Sequence, residues 1–426
     1  MPTLLSYGLG VESTSILLRW IMEPETRPCP LEDLIVLTAE TGDEYVDTGH
    51  DVETHILPLM RCHRIRYVQV ARHGHLEADG ITVLDDSRDP TRVYLEGDFK
   101  LSDELKLTGT VPQYAGTHKC ALKFKAWVIE QWLERNLRAP ARHAFGYNAD
   151  ETKRIAKSEY IEAIAFGFNA DERKRISRSS EYATVARHPF YPLLEWGWGR
   201  ERCIEYIRSI LGVTWRKSAC VYCPFNALRT EAIERHREHP EQVADAMVIE
   251  RLSLALNPRG SFYKGKSLIH ITATVNNTAA INAFDASVAK IPWGLYRTRR
   301  IYKKKGKAQR AIQCLQTFPA EPLALAELQQ MASREGIAVE LKSGIPYVYR
   351  ERREEDVFPA REELFSIAPA LAKDKAQYGL PWFEERWRPR QEDLFACLDT
   401  PRRSISNGNT SARGSAKKRG RSASTK

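Results

Sequence analysis

Cys220 and Cys223 stand three apart in Lys217-Ser-Ala-Cys-Val-Tyr-Cys-Pro-Phe225, and Cys120 opens the run Cys-Ala-Leu-Lys-Phe-Lys125. Two thiols at i and i+3 in a turn can reach one metal. Three thiolates can hold three irons of a [4Fe–4S] cluster, leaving the fourth iron open for sulfide or substrate. With His118, His236 or His239 as fourth ligand the same thiols would make a structural Zn2+ site. Reduced, buried cysteines without metal are a third reading. Cys29, Cys62, Cys203, Cys314 and Cys397 are isolated.

A second cluster lies near the start of the chain. Leu-Leu-Ser6-Tyr-Gly8-Leu-Gly10-Val-Glu12-Ser13 places two glycines and two serines between an apolar run and a helical pattern. A glycine turn feeding a helix N-terminus offers free backbone N–H groups and the positive end of the dipole, and both suit phosphate oxygens. The spacing is neither that of the Walker loop nor that of the dinucleotide fingerprint. Taken alone, a tight turn without ligand gives the same pattern. After the next apolar run comes Thr38-Ala-Glu-Thr41-Gly42-Asp-Glu44, polar residues where an open parallel sheet binds ligands.

Five motifs together, spread over about residues 3–226, resemble the phosphoadenosine phosphosulfate reductase-like family of the adenine nucleotide alpha hydrolase (PP-loop ATP pyrophosphatase) superfamily. They are Ser6-x-Gly8-x-Gly10-x-x-Ser13, Thr41-Gly42-x-Glu44, Cys120 to Lys125, Gly167-Phe-Asn-Ala-Asp171-Glu172 with Arg175, and Lys217 to Phe225. The resemblance implies chemistry at the alpha phosphate of ATP or of an adenylated compound. Lys125, Asp171 and Arg175 are its expected catalytic residues, with Arg154 a further cation. Ser6, Gly8, Gly10, Glu12, Ser13, Thr41, Gly42, Glu44, Gly167 and Glu172 are expected to bind the nucleotide, and Cys120, Cys220 and Cys223 the metal. Mg2+ would be carried mainly by the phosphates, with help from Glu12 or Asp171. Leu9 replaces a common glycine and Glu12 the usual aspartate. The C-terminal Glu-Cys-Gly-Leu-His segment of sulfonucleotide reductases does not occur. The expected function is adenylation of a nucleic-acid or nucleoside substrate, with sulfur transfer from an Fe–S centre. The alternatives are sulfonucleotide (PAPS/APS) reduction and a non-catalytic nucleotide- or nucleic-acid-binding module.

The elements that must position these groups follow from periodicity. Residues 4–7, 34–40 and 65–71 read as buried strands, residues 13–20 and 48–60 as helices, and residues 141–147 as a fourth strand. This alternation predicts an α/β, doubly wound parallel sheet over residues 1–215, of the kind the resemblance also implies. Residues 72–117 read as a long irregular insert. A helical extension carrying Cys220 and Cys223 is expected over 216–290, and a basic α+β accessory region over 291–400, with a helix and a hairpin at Ser343-Gly344. Residues 401–426 read as a disordered basic tail. Ala144-Phe-Gly-Tyr-Asn-Ala-Asp-Glu recurs as Ala165-Phe-Gly-Phe-Asn-Ala-Asp-Glu, a local duplication that brings a second Asp-Glu pair, Asp150-Glu151, before Arg154.

Charge locates the macromolecular partner. The chain carries 64 Lys and Arg against 55 Asp and Glu. Eight of the bases lie in residues 401–426 and eight more in 295–310, where Tyr296 and Tyr302 are interleaved. Basic charge with aromatics suits DNA or RNA, and a solvated basic face is the plain alternative. The remainder is net acidic, so the catalytic half is not expected to bind polyanions in general. With 42% hydrophobic residues and no apolar run fit to span a bilayer, the chain reads as a cytoplasmic protein without a membrane segment.

Overall fold

Runs such as Leu34-Ile-Val-Leu bury both sides of a strand, as a parallel sheet covered on two faces requires. A computed structural model describes residues 3–112, 119–137, 141–146, 148, 187–226, 230–263, 266–304, 308–354, 357–375 and 381–387. In chain order the first elements are β1 (Thr3–Ser6), α1 (Val11–Met22), β2 (Leu34–Glu40), α2 (Val46–His55), α3 (Leu57–Cys62), β3 (Arg66–Arg72) and β4 (Ile81–Ser87). Then come α4 (Leu101–Thr108), a π-helical turn (Leu122–Ala126) running into α5 (Trp127–Asn136), β5 (Ala141–Ala144), β6 (Arg187–Phe190) and α6 (Arg200–Leu211). The strands form one sheet in the order β4-β3-β2-β1-β5-β6. All neighbours are parallel except β4 on β3.

Successive side chains of the strands enter opposite cores. Leu5, Val36 and Tyr67 pack with residues of α1, α2, α3 and α6. Leu4, Ile35, Leu37, Val68 and Val70 pack with Val128, Trp132 and Leu133 of α5. Each such side chain contributes about 1.5–3 kcal/mol on burial. The sheet is thus α/β with helices on both faces.

Two expectations for this half need correction. The helix anticipated over residues 48–60 is two helices, because Pro58 has no N–H to donate to the carbonyl one turn back. The insert anticipated over 72–117 contains β4 and α4. Between them, residues 88–100 are held by side chains: Gln69 donates to Arg92 O at 2.9 Å and accepts from Tyr94 N at 2.8 Å.

The remaining elements are α7 (Thr230–Glu238), α8 (Pro240–Leu256), α9 (Leu268–Thr274), α10 (Thr278–Val288), β7 (Trp293–Tyr302), β8 (Gln309–Phe318), α11 (Glu321–Glu335), β9 (Glu340–Lys342), β10 (Ile345–Glu351) and β11 (Ala360–Pro369). Helix α8 is buried on nearly every side. Its first half joins a core with Tyr45, Phe124, Val221 and Tyr222. Its last turn packs under the second sheet, of order β8-β7-β11-β10-β9. The anticipated helix and hairpin are α11 and β9–β10.

The basic segment differs from its expectation. Arg297, Arg299 and Arg300 lie on β7, where Arg299 and Arg300 stand opposite Glu363 and Glu362 of β11 and Arg297 opposite Phe365. Arg297 pairs with Glu363, and Arg300 with Glu362 at 2.8 Å, so these guanidiniums are spent inside the sheet. Lys303 and Lys304 are exposed at its end. The molecule divides into two units, Met1–Tyr378 and Gly379–Lys426. Within the second unit the described part is a short helix, Pro381–Trp387, and the tail 401–426 lies outside the described residues. Among the described residues no helix is long and apolar enough to cross a membrane.

Candidate functional site

The chain runs from β1 outward to β3 and β4, then crosses back to place β5 on the other side of β1. The strand order therefore reverses between β1 and β5, and open α/β sheets bind ligands outside the carboxyl ends of strands at such a point. The glycine loop (residues 7–10) leaves β1 there, and Thr41–Glu44 leave β2 beside it.

Gly10 caps α1 with extended backbone, and Thr14 N closes the first helical hydrogen bond onto Gly10 O at 3.0 Å. The preceding amides of the first turn have no intrahelical acceptor. Gly8 is exposed with open space beside it. A Cβ at Gly10 would meet Ser218 Oγ at 2.9 Å, so close packing of the cysteine segment explains this glycine. Gly42 has φ +86°, and a side chain there would also strike Lys100.

Three serine and carboxylate groups expected at the nucleotide are used internally. Ser6 Oγ pairs with His143 Nε2 at 2.7 Å, and Ser13 Oγ donates to Gly10 O at 3.3 Å. Glu12 pairs with Arg200 and accepts from Asn148 Nδ2 at 3.3 Å. Glu12 is thus tied to the α6 N-terminus and to the first copy of the duplicated loop rather than standing free for a metal.

The other expected residues meet in space. Thr41 Oγ1 lies 3.3 Å from Cys220 Sγ, Glu44 bridges Cys220 through the backbone, and Lys125 Nζ donates to Glu44 Oε1 at 3.2 Å. Groups about 80 to 180 residues apart in sequence thereby share one centre. Lys125 sits on the π-helical turn, a distortion frequent at functional sites, and its side chain is still 40% exposed.

Sequence reasoning missed Glu40. It ends β2 and is only 1% exposed; its Oε1 and the Oε2 of Glu44 have no partner. Burial, reinforced by Glu44, pushes the Glu40 carboxyl up from 4.5 to about 8. Burial pulls Lys125 down, but Glu44, Cys220 and Glu40 outweigh it and hold the ammonium above its ordinary range. Burial, with Glu44 adding to it, raises the Cys220 thiol well above its usual value despite Lys125. A carboxylate closing a strand that is otherwise apolar but for Thr38 was the available signal for Glu40.

Among the described residues, Cys120, Cys220 and Cys223 do not bring their sulfurs within 4.8 Å of one another. Three thiolates on one tetrahedral zinc lie about 3.8 Å apart, so the arrangement does not fit that ion. Cys120 is near enough for its charge to raise Cys223, after burial. Asp47, Glu238 and His239 do converge. Arg235 holds Asp47 at 2.6 Å, and Arg216 binds Asp47 at 3.1 Å and Glu238 at 3.0 Å. Two guanidiniums already neutralise that cluster, which makes it an ion-pair clasp between α2 and α7. Asp150, Glu151, Arg154, Gly167, Asp171, Glu172, Arg175 and His118 lie outside the described residues.

Comparison with family models, with curated proteins and with solved structures finds no match.

Proposed function

We propose that the chain is a PP-loop-type ATP pyrophosphatase, cleaving at the alpha phosphate to adenylate an acceptor. One observation carries the reading: the glycine loop, Thr41–Glu44, Lys125 and the Cys220 segment converge at the strand-order reversal. In this reading the amides of residues 9–12 hold the diphosphate to be released. Lys125 leaves Glu44 for the alpha phosphate, where charge develops in the transition state. The buried oxygens of Glu40 and Glu44 that lack partners are hard donors suited to Mg2+, which would displace the proton of Glu40 on binding. Glu40 and Glu44 replace Glu12 in that role. Mg2+, when bound, would neutralise phosphate charge.

The Cys220 thiol beside Lys125 and Glu44 supports sulfur chemistry next to the nucleotide. A four-iron cluster, with its thiolates on separate irons, is the metal proposal for the three cysteines. DNA or RNA is the proposed acceptor, recruited by Lys303, Lys304 and the basic tail.

Pyrophosphate release from ATP, with and without single-stranded DNA or RNA, tests the reading. Lys125→Ala is expected to lower kcat about 100-fold or more while ATP still binds. ATP binding without pyrophosphate release under either condition would favour the non-catalytic module.

A further inference from the structure

Three successive carbonyls of the glycine loop each receive a hydrogen bond. Ser218 Oγ donates to Gly8 O at 2.7 Å, Trp215 Nε1 to Leu9 O at 3.0 Å, and Thr14 N to Gly10 O at 3.0 Å. Two of the three donors come from the short segment that precedes Cys220. The third is the ordinary first bond of α1.

The peptide unit is planar and trans, so fixing the C=O of one residue aims the N–H of the next the opposite way. Holding Gly8 O and Leu9 O on the segment 215–218 therefore turns the Leu9 and Gly10 amides away from it. Leu9 has φ +57°, the left-handed region, which is the backbone state that carries its carbonyl to the indole. The segment is itself anchored, since Arg235 Nη1 donates to Lys217 O at 2.6 Å.

We propose that Ser218 and Trp215 are positioning residues that set the amides of Leu9 and Gly10 for a polyphosphate. They act through the loop and touch no substrate. This inference rests on the nucleotide reading above and names the parts of the chain that make it work. It also ties the loop to the segment that carries Cys220.

The test compares Ser218→Ala, Ser218→Thr and Trp215→Phe in the full chain, with inorganic pyrophosphate, ATP and adenosine as calorimetric probes. A single neutral hydrogen bond is worth a factor of about 2–10. Ser218→Ala and Trp215→Phe are expected to weaken pyrophosphate and ATP binding by about that factor and to leave adenosine binding unchanged. Ser218→Thr, which keeps the hydroxyl, should restore the phosphate affinity. Pyrophosphate bound equally by wild type and Ser218→Ala would overturn the positioning role, as would equal losses for adenosine and pyrophosphate. A wild-type chain that binds neither ATP nor pyrophosphate would overturn the nucleotide reading itself.

Discussion

Leu9 sets two costs against each other. A non-glycine residue at positive φ is strained by about 1–2 kcal/mol, yet its side chain is 2% exposed and packed in the core shared by α1 and α6. Removing a buried leucine side chain costs about 2–5 kcal/mol. Burial wins, so Leu9→Gly is expected to lower stability in urea denaturation even though glycine suits the backbone. Glu40 makes a prediction about pH. Its native pKa of about 8 lies above the ordinary 4.5, so the folded state holds a proton that the unfolded chain releases. Stability from this group is full below about pH 4.5 and declines as pH rises toward 8. Glu40→Gln should flatten that decline, which amounts to a few kcal/mol at most, in melting curves measured from pH 5 to 8. An unchanged slope would mean that Glu40 is ionised in the fold.

Among the elements, the join between α2 and α7 is the one the site leans on. Arg235 is 2% exposed and bonds Asp47, Thr48 Oγ1 at 2.6 Å and Lys217 O, with its guanidinium 4.1 Å from the Tyr45 ring centroid. Arg235→Ala leaves Asp47 and a carbonyl without this partner, at an expected cost of about 3–5 kcal/mol in equilibrium unfolding. Strands β1, β2 and β3 were legible because a strand buried on both faces reads as a mostly apolar run. Strand β7 was not, since Trp-Gly-Leu-Tyr-Arg-Thr-Arg-Arg carries its charges into pairs with β11, which lies about 65 residues later in sequence. A buried arginine and a solvated one look alike until the partner strand is known. Within the site, Thr41, Glu44, Lys125 and Cys220 were legible as motifs. Trp215, Arg200 and Arg235 were not, because their work is to hold backbone carbonyls or carboxylates contributed by distant elements.

For the whole molecule, the placement of charge separates chemistry from recruitment. With Arg297, Arg299 and Arg300 inside the second sheet, the exposed bases among the described residues of 295–310 are Lys303 and Lys304, while Lys305, Lys307 and the eight of residues 401–426 lie outside the described residues. Deleting 401–426 is expected to leave ATP turnover intact. It should also reduce the slope of log affinity against log salt for single-stranded nucleic acid, by up to about 0.7 for each phosphate that the tail would otherwise neutralise. Loss of turnover in the truncated chain would contradict this division.

The π-helical turn sets a phase between the two cores that meet the site. Phe124 and Val128, four residues apart, would share one face of an α-helix, yet Phe124 enters the core of α8 and Val128 the core beneath the sheet. The wide turn takes more than four residues to close, which shifts the helical phase between the stretches before and after it, and Lys125 stands at the step. Chain length through residues 122–126 is therefore the constrained quantity, more than side-chain identity. Substitution at the exposed Ala121 should be silent, whereas deleting one residue would send Val128 toward the wrong core and carry Lys125 off Glu44.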